Sequence, residues 1–176
     1  ELLALQRKRG LATIFVTHDQ EEANSTSDRM AVLDKGVIQQ IGRPQDLYDR
    51  PDNLFVARFL GTANVLDGRV EKQGEALRFV TGSGDALPLS RHGIAGLFSA
   101  ILRPQNITIE RTAGADTIAG RVLHSEFLGS QIRYIVQAAG SDLVIDKSHR
   151  SDENLLTTWA EVALRVNMYS AVLLSS

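Results

Sequence analysis

From about residue 66 onward, the chain is a series of short stretches in which apolar, β-favouring residues alternate with polar ones. Clusters of Gly, Ala, Ser and Asp separate many of these stretches, as at residues 82–85, 113–116 and 139–141. The stretches lie at residues 66–71, 77–81, 100–102, 107–110, 117–123, 131–136, 143–146 and 162–165. Many short strands at this spacing predict a small β-barrel or β-sandwich.

The beginning of the chain has a different sequence pattern, in which helix and strand signals alternate. Residues 2–9 end in a basic run followed by a glycine, which is typical of the end of a helix. Residues 12–16, Ala-Thr-Ile-Phe-Val, form a short apolar run of the kind found in buried parallel strands. Asp19 can cap a following helix whose first turn is acidic, where the helix dipole favours negative charge.

A hairpin and two further helices are predicted before the β-rich part of the chain begins. Residues 30–41 read as two strands joined by an Asp-Lys-Gly turn. Pro44 and Pro51 can each begin a helix, and the second helix would run to Leu60 with apolar residues at helical spacing. The helix signals thin out after this point, so we place a domain boundary at residues 61–64.

Composition limits the possible classes of function. The chain is 43% hydrophobic and 23% charged, which is ordinary for a globular protein. The net charge of -2 and the aromatic content of 6% show neither the basic excess nor the aromatic stripe expected for nucleic-acid binding. There is no cysteine, which excludes disulfides and thiolate metal sites, and no apolar run approaches the roughly 20 residues that span a bilayer. We therefore expect no nucleic-acid partner and no direct membrane insertion.

Residues 13–23, Thr-Ile-Phe-Val-Thr-His-Asp-Gln-Glu-Glu-Ala, closely resemble the switch segment of ABC transporter ATPases. The similarity continues through residues 27–36 and 38–48. Residues 55–64, Phe-Val-Ala-Arg-Phe-Leu-Gly-Thr-Ala-Asn, are similar to the junction into the transport-associated OB-type (TOBE) domain of importer ATPases. The resemblance identifies the chain as a C-terminal fragment of such a subunit, from the group that serves polyamine, ferric iron, sulfate and sugar importers.

The resemblance implies an architecture of two parts. Residues 1–61 would be an α/β remnant of the ATP-binding cassette domain. Residues 62–176 would form a mainly-β, OB-like barrel domain with a regulatory and dimerising role. The chain begins without a methionine, which also favours a fragment.

His18 is the candidate catalytic residue. In the family that the segment resembles, a strand delivers a histidine next to the γ-phosphate of ATP. An imidazole there can donate a hydrogen bond to a phosphate oxygen or orient the attacking water, and phosphoryl transfer depends mainly on such positioning and charge stabilisation. A histidine taken alone is more often an ordinary surface residue, so the prediction rests on the Thr-His-Asp pattern between a strand and an acidic helix. Asp19 is predicted to cap the following helix. The resemblance implies that it also contacts a partner subunit.

The resemblance also implies cofactors and partners. These are ATP and Mg²⁺ in the intact subunit, a second copy as homodimer partner, and permease subunits that hold the protein peripherally on the cytoplasmic face of the cell membrane. The chain contains no Gly-x-x-x-x-Gly-Lys-Ser/Thr loop, so we assign no cofactor-binding residue and expect the isolated chain to be inactive. His92, His124 and His149 lack the spacing of metal ligands, and no metal site is predicted.

Two other hypotheses stay open. A stand-alone ligand-sensing β-barrel would have a polar-lined pocket in the barrel. A purely structural dimerisation domain would bury more than about 1,000 Å² in a symmetric interface. Because the apolar run at residues 12–16 lacks visible strand partners, we also expect residues before about 35 to be poorly ordered or borrowed by another chain. In an importer the binding protein and the permease select the solute, so we predict no particular one.

Overall fold

The structure is a computed structural model that describes residues 2–89, 95–110, 112–114 and 116–175. It divides into two compact units, Glu1–Gly61 and Thr62–Ser176, which we call the N-terminal unit and the β unit. In the described residues, the N-terminal unit has four α-helices and one hairpin, whereas the β unit has ten strands and two short 3-10 turns. The mainly-β character predicted for the second part of the chain is therefore confirmed.

The N-terminal unit combines short helices with a two-stranded antiparallel hairpin. The helices are α1 (Leu2–Arg9), α2 (Gln20–Thr26), α3 (Pro44–Asp49) and α4 (Leu54–Phe59), and the strands are β1 (Met30–Asp34) and β2 (Val37–Gly42). Lys35 and Gly36 have φ angles of +49° and +80°, the pair of left-handed conformations that a type I′ turn requires. The predicted hairpin is confirmed. Of the helices that the structure describes, none is long and apolar enough to cross a membrane.

A small apolar core joins this hairpin to α3 and α4. Its buried members are Val32, Leu47, Val56 and Leu60, with Met30, Tyr48 and Phe59 partly buried around them. The last predicted helix begins at Leu54 and not at Pro51. Asn53 sets this start, because its Oδ1 accepts the N–H of Val56 at 2.9 Å.

Two glutamines of β2 hold the connection between α3 and α4. The Nε2 of Gln40 donates to the carbonyl of Arg50 at 2.9 Å, and its Oε1 accepts the N–H of Asp52 at 3.0 Å. The Oε1 of Gln39 accepts a hydrogen bond from the Nδ2 of Asn53 at 3.1 Å. Because one side-chain amide satisfies both a donor and an acceptor, these bonds attach the connection to the hairpin.

The apolar run at residues 12–16 is not a buried strand, and this prediction was wrong. The run belongs to no helix or strand, and Ile14 and Val16 are 95% and 90% exposed. A parallel strand is stable where neighbouring strands pair its backbone groups and other elements cover its faces. The described residues supply no such neighbours for this run. Its pairing with another chain stays a prediction.

The β unit consists of two five-stranded antiparallel sheets. Its strands are β3 (Asn64–Gln73), β4 (Ala76–Thr81), β5 (Ala86–Leu89), β6 (Gly96–Leu102), β7 (Ile107–Glu110), β8 (Thr117–Phe127), β9 (Gln131–Ala138), β10 (Ser141–Ser148), β11 (Glu161–Val166) and β12 (Val172–Ser175). The first sheet has the order β12-β6-β3-β4-β5, and the second has the order β10-β9-β8-β11-β7. All of the strands predicted for residues 66–165 are present, whereas β5 and β12 were not predicted.

Both sheets of the β unit contribute to one apolar core. Its members include Leu66, Phe79, Leu87 and Leu102 from the first sheet and Val122, Tyr134, Leu143 and Leu164 from the second. Gly68 of β3 makes room for the ring of Phe79, because a Cβ at residue 68 would lie 2.7 Å from the ring Cζ. The period-2 alternation that predicted the strands places these side chains on the inner faces.

A guanidinium on the second sheet lowers the pKa of a neighbouring carboxyl. The Nη2 of Arg165 in β11 donates to the Oε2 of Glu110 in β7 at 3.0 Å, and the Nε donates to the other carboxylate oxygen. The hydrogen bond from Arg165, reinforced by its charge, holds the pKa of Glu110 below its ordinary value. The contribution of this pair to stability is therefore present above the unfolded pKa and is lost as pH falls through the folded pKa.

We expect an acid titration followed by carboxyl ¹³C NMR to show Glu110 titrating below the usual range of glutamate. Arg165→Gln should return the titration midpoint to that usual range, because it removes both the hydrogen bond and the charge. An unchanged midpoint in Arg165→Gln would contradict this assignment.

Candidate functional site

His18 lies between the exposed run at residues 12–16 and helix α2, and its own side chain is exposed. A short hydrogen-bonded network holds the backbone on either side of it. The Oγ1 of Thr17 donates to the Oε2 of Glu22 at 2.8 Å and accepts the N–H of Asp19 at 3.0 Å. The two neighbours of His18 are therefore attached to the first turn of α2.

Asp19 is the N-cap of α2, as predicted. Its Oδ1 accepts the N–H of Glu22 at 3.0 Å, and its carbonyl accepts the N–H of Ala23 at 3.0 Å. The acidic residues of the first turn, Glu21 and Glu22, are exposed. The cap accounts for Asp19 without any partner, and its role in subunit contact stays a prediction.

The exposure of His18 determines what this segment can do chemically. The cap already uses the N–H of Glu22, so the first turn of α2 does not direct that donor at a ligand. The imidazole of His18 is accessible from outside the N-terminal unit. It can donate a hydrogen bond to a phosphate oxygen or to an attacking water.

The histidines of the β unit are separate from this segment. His124 and His149 are exposed, and His149 lies edge-on against the ring of Phe127 with ring centroids 5.0 Å apart. His92 lies outside the described residues. Within residues 2–89, 95–110, 112–114 and 116–175, no group of three or more His, Asp or Glu side chains could hold a metal ion.

The outer face of the second sheet carries an open depression of about 580 Å³. Small residues form most of its lining, and the side chains of Arg121, Gln137 and Glu161 surround them. Arg121 and Glu161 approach within 3.8 Å across β8 and β11, and both are exposed. The depression lies on the surface of the second sheet, whereas the ligand-sensing hypothesis predicted a polar-lined pocket inside a barrel.

Two polar side chains are buried near the beginning of the β unit. Asn64 is 4% exposed, and its amide bonds to both backbone groups of Val144, with Nδ2 to O at 2.8 Å and N to Oδ1 at 2.7 Å. Arg103 is 6% exposed, and its Nη1 donates to the carbonyl of Thr62 at 3.3 Å. Arg103 directly precedes a 3-10 turn that begins at Pro104. No local pattern indicated the role of Asn64, because its partner is 80 residues away.

Comparison with known proteins relates both halves of the chain to importer subunits. Residues 100–174 match the TOBE domain family. The chain is 41% identical over 158 residues to the Fe(3+) ions import ATP-binding protein FbpC of Rhizobium etli, in an alignment that covers 88% of this chain and 44% of that protein. It is 33% identical over 178 residues to the spermidine/putrescine import ATP-binding protein PotA 1 of Pseudomonas aeruginosa, covering 99% of this chain and 48% of that protein. The chain spans less than half the length of these relatives.

The chain also has a counterpart among solved structures. The cytoplasmic molybdate-binding protein ModG, crystallised with molybdate bound, superposes with a TM-score of 0.52 at 15% identity, covering 64% of this chain and 96% of ModG. At this identity the likeness concerns the fold alone, and it confirms the OB-like, mainly-β part of the predicted fold. Residues 100–174 thus match the TOBE domain family, and the chain is similar to the ATP-binding subunits of ABC importers.

Proposed function

We propose that this chain is part of a subunit that hydrolyses ATP to drive solute import through an ABC importer. One observation carries the proposal, which is the continuous similarity to PotA 1 over 99% of the chain. An alignment of that extent includes His18 and Asp19 as well as the β unit. The proposal therefore concerns both halves of the chain.

In this proposal residues 1–61 are the end of the ATP-binding cassette, and residues 62–176 are a regulatory domain that also contributes to dimerisation. The apolar surface of the N-terminal unit supports the first assignment. Leu33 and Ile38 are cross-strand partners on the hairpin, and they are 53% and 54% exposed. These paired apolar side chains are surface that the rest of a cassette would cover.

We assign His18 to the γ-phosphate of ATP in the intact subunit, with Mg²⁺ and ATP bound by a phosphate loop outside this chain. The hydrogen bonds of Thr17 and Asp19 to Glu22 support this role, because they fix the backbone on both sides of the imidazole. A positioned donor contributes to phosphoryl transfer by stabilising the charge on the transferred group. Asp19 would meet the partner subunit from the same end of α2.

The partners in this proposal are a second copy of the subunit and the membrane permease subunits. The subunit would lie on the cytoplasmic side of the cell membrane and attach to it through the permease. The names of the relatives mention ferric iron in one case and spermidine and putrescine in the other. We propose ATP-driven solute import and assign no particular solute to this chain.

The proposal predicts a sharp difference between this chain and a longer subunit that contains it. The 176-residue chain should show no micromolar, Mg²⁺-dependent binding of a fluorescent ATP analogue. The subunit extended upstream through a phosphate loop should bind the analogue and hydrolyse ATP, because that loop supplies most of the backbone donors to the phosphates. The proposal is wrong if the extended subunit binds no ATP, or if the coding sequence upstream encodes no phosphate loop.

A further inference from the structure

Glu22 is the third residue after the N-cap Asp19, the position at which a glutamate usually accepts the backbone N–H of the cap residue and completes a capping box. In this segment the N–H of Asp19 donates instead to the Oγ1 of Thr17 at 3.0 Å, and that hydroxyl donates to the Oε2 of Glu22 at 2.8 Å. The hydroxyl of Thr17 therefore lies between the two groups that bond directly in an ordinary capping box. This extended box encloses His18, the residue between Thr17 and Asp19.

Both sides of His18 are attached to Glu22. A carboxylate offers only acceptors, so the hydroxyl of Thr17 must donate to Glu22, which leaves its lone pairs for the N–H of Asp19. After His18, the Oδ1 of Asp19 accepts the N–H of Glu22 at 3.0 Å. The backbone that carries the imidazole is thus part of a hydrogen-bonded ring that one residue closes.

The carboxylate of Glu22 is not needed for helix α2 to begin. The cap uses the side chain of Asp19 and the backbone N–H of Glu22, and both groups remain when the side chain of Glu22 is shortened. The bond from the N–H of Ala23 to the carbonyl of Asp19 also involves backbone groups only. Alanine favours a helix at least as strongly as glutamate does. The contact with Thr17 therefore orders the segment before the helix and not the helix itself.

We propose that Glu22, acting through the hydroxyl of Thr17, is a positioning residue for His18. This inference rests on the proposed function, in which His18 contacts the γ-phosphate of ATP. The imidazole is exposed, so its direction depends on the backbone that carries it. A displacement of about 1 Å at a reacting group can cost about 100-fold in rate, so a contact that fixes this backbone affects hydrolysis without touching ATP.

The attachment can be measured by NMR in the 176-residue chain without any nucleotide. In Glu22→Ala, the three-bond Hα–Hβ coupling of Thr17 should change from the value of one χ1 rotamer to an average over several, because its hydroxyl loses its acceptor. The amide of Asp19 should exchange about two- to tenfold faster, because the hydroxyl is no longer oriented towards it. The amide of Ala23 should keep its exchange rate, since its bond belongs to the helix.

The consequence for hydrolysis is measured in the extended, loop-containing subunit. Glu22→Ala should lower kcat by about ten- to 100-fold and leave the KM for ATP unchanged, because the phosphate loop still binds the nucleotide. Thr17→Val keeps the shape of the side chain without its hydroxyl, and it should cause the same loss. Since the two residues act as one unit, the double variant should lose no more than either single variant. Glu22→Gln retains an acceptor oxygen and should recover most of the rate.

The matched control is Glu21→Ala, which removes the other exposed acidic side chain from the first turn of α2. Its effect on the helix dipole is similar to that of Glu22→Ala, but Glu21 is not part of the extended box. It should leave kcat, the coupling of Thr17 and the amide exchange of Asp19 unchanged.

Three results overturn the positioning role. If Glu22→Ala hydrolyses ATP at the wild-type rate while His18→Ala is impaired, Glu22 does not position His18 and the proposed function still stands. If His18→Ala hydrolyses ATP at the wild-type rate, the assignment of His18 fails and the positioning role fails with it. Faster exchange at Ala23 in Glu22→Ala, equal to that at Asp19, would show that the carboxylate supports helix α2 as a whole.

Discussion

Replacing His18 with alanine in the extended, loop-containing subunit is expected to lower its rate of ATP hydrolysis by about 100- to 1,000-fold, the usual cost of removing one positioned donor from a transition state. The side chain is exposed between two residues whose side chains bond to Glu22, so its loss leaves the fold of the segment intact. Binding of the ATP analogue should persist, because the phosphate loop carries most of the contacts. Steady-state phosphate release and analogue titration measure the two quantities separately.

The control for this experiment is His124→Ala, which removes an exposed histidine of the β unit and should leave hydrolysis unchanged. His18→Gln keeps a side-chain donor and should recover part of the lost rate. Hydrolysis by His18→Ala at the wild-type rate would remove His18 from the catalytic machinery. Loss of analogue binding in His18→Ala would show instead that the residue supports nucleotide binding.

Replacing Phe79 with alanine is expected to lower the free energy of unfolding of the β unit by about 3–5 kcal/mol, the usual cost of removing a buried aromatic ring. The ring is fully buried in the core between the two sheets. Gly68 approaches it so closely that a Cβ there would lie 2.7 Å from the ring, so the surrounding backbone has little freedom to fill the cavity. Urea unfolding followed by circular dichroism and by the fluorescence of Trp159 measures the change.

The matched control is Phe127→Ala, at a phenylalanine of the same unit that is 56% exposed. Its ring contacts His149, so we expect a loss below about 1 kcal/mol. A change in Phe79→Ala as small as that of the control would show that the core does not depend on this ring.

Alternation of apolar and polar residues was sufficient to predict most strands of the β unit, because each strand has one inner and one outer face. Two strands lack this signal. β5 is four residues long and contains Pro88, which a sheet accepts because β5 is an edge strand. In β12 the adjacent residues Leu173 and Leu174 are both half-buried, so no alternation appears.

The error at residues 12–16 has a different cause. A short apolar run has the same composition whether it is buried in a sheet or exposed, and the outcome depends on which neighbours are present. Ile14 and Val16 are exposed because no described strand pairs with this run. The apolar pattern indicated a tendency to form a buried strand. The described residues around the segment provide no strand with which it could pair.

Within the candidate site, only contacts between residues close together in the sequence could be predicted. The Asp19 cap follows from an acidic residue before a short helix, and its partner Glu22 is three residues away. The partners of Gln40 and Asn64 are about 10 and 80 residues away, so they depend on the folded arrangement. Side-chain amides that replace backbone pairing leave no pattern in the neighbouring sequence.

The order of strands in the two sheets has a consequence for synthesis on the ribosome. β11 lies between β8 and β7 in the second sheet, and β12 is the edge neighbour of β6 in the first. Neither sheet is complete until residues 161–175 have left the exit tunnel. Until then, the more than 90 preceding residues of the β unit can form only part of their strand pairs. Such a nascent chain exposes unpaired edges and apolar faces. We therefore expect a newly made β unit to depend on chaperones that shield it until its last strands arrive.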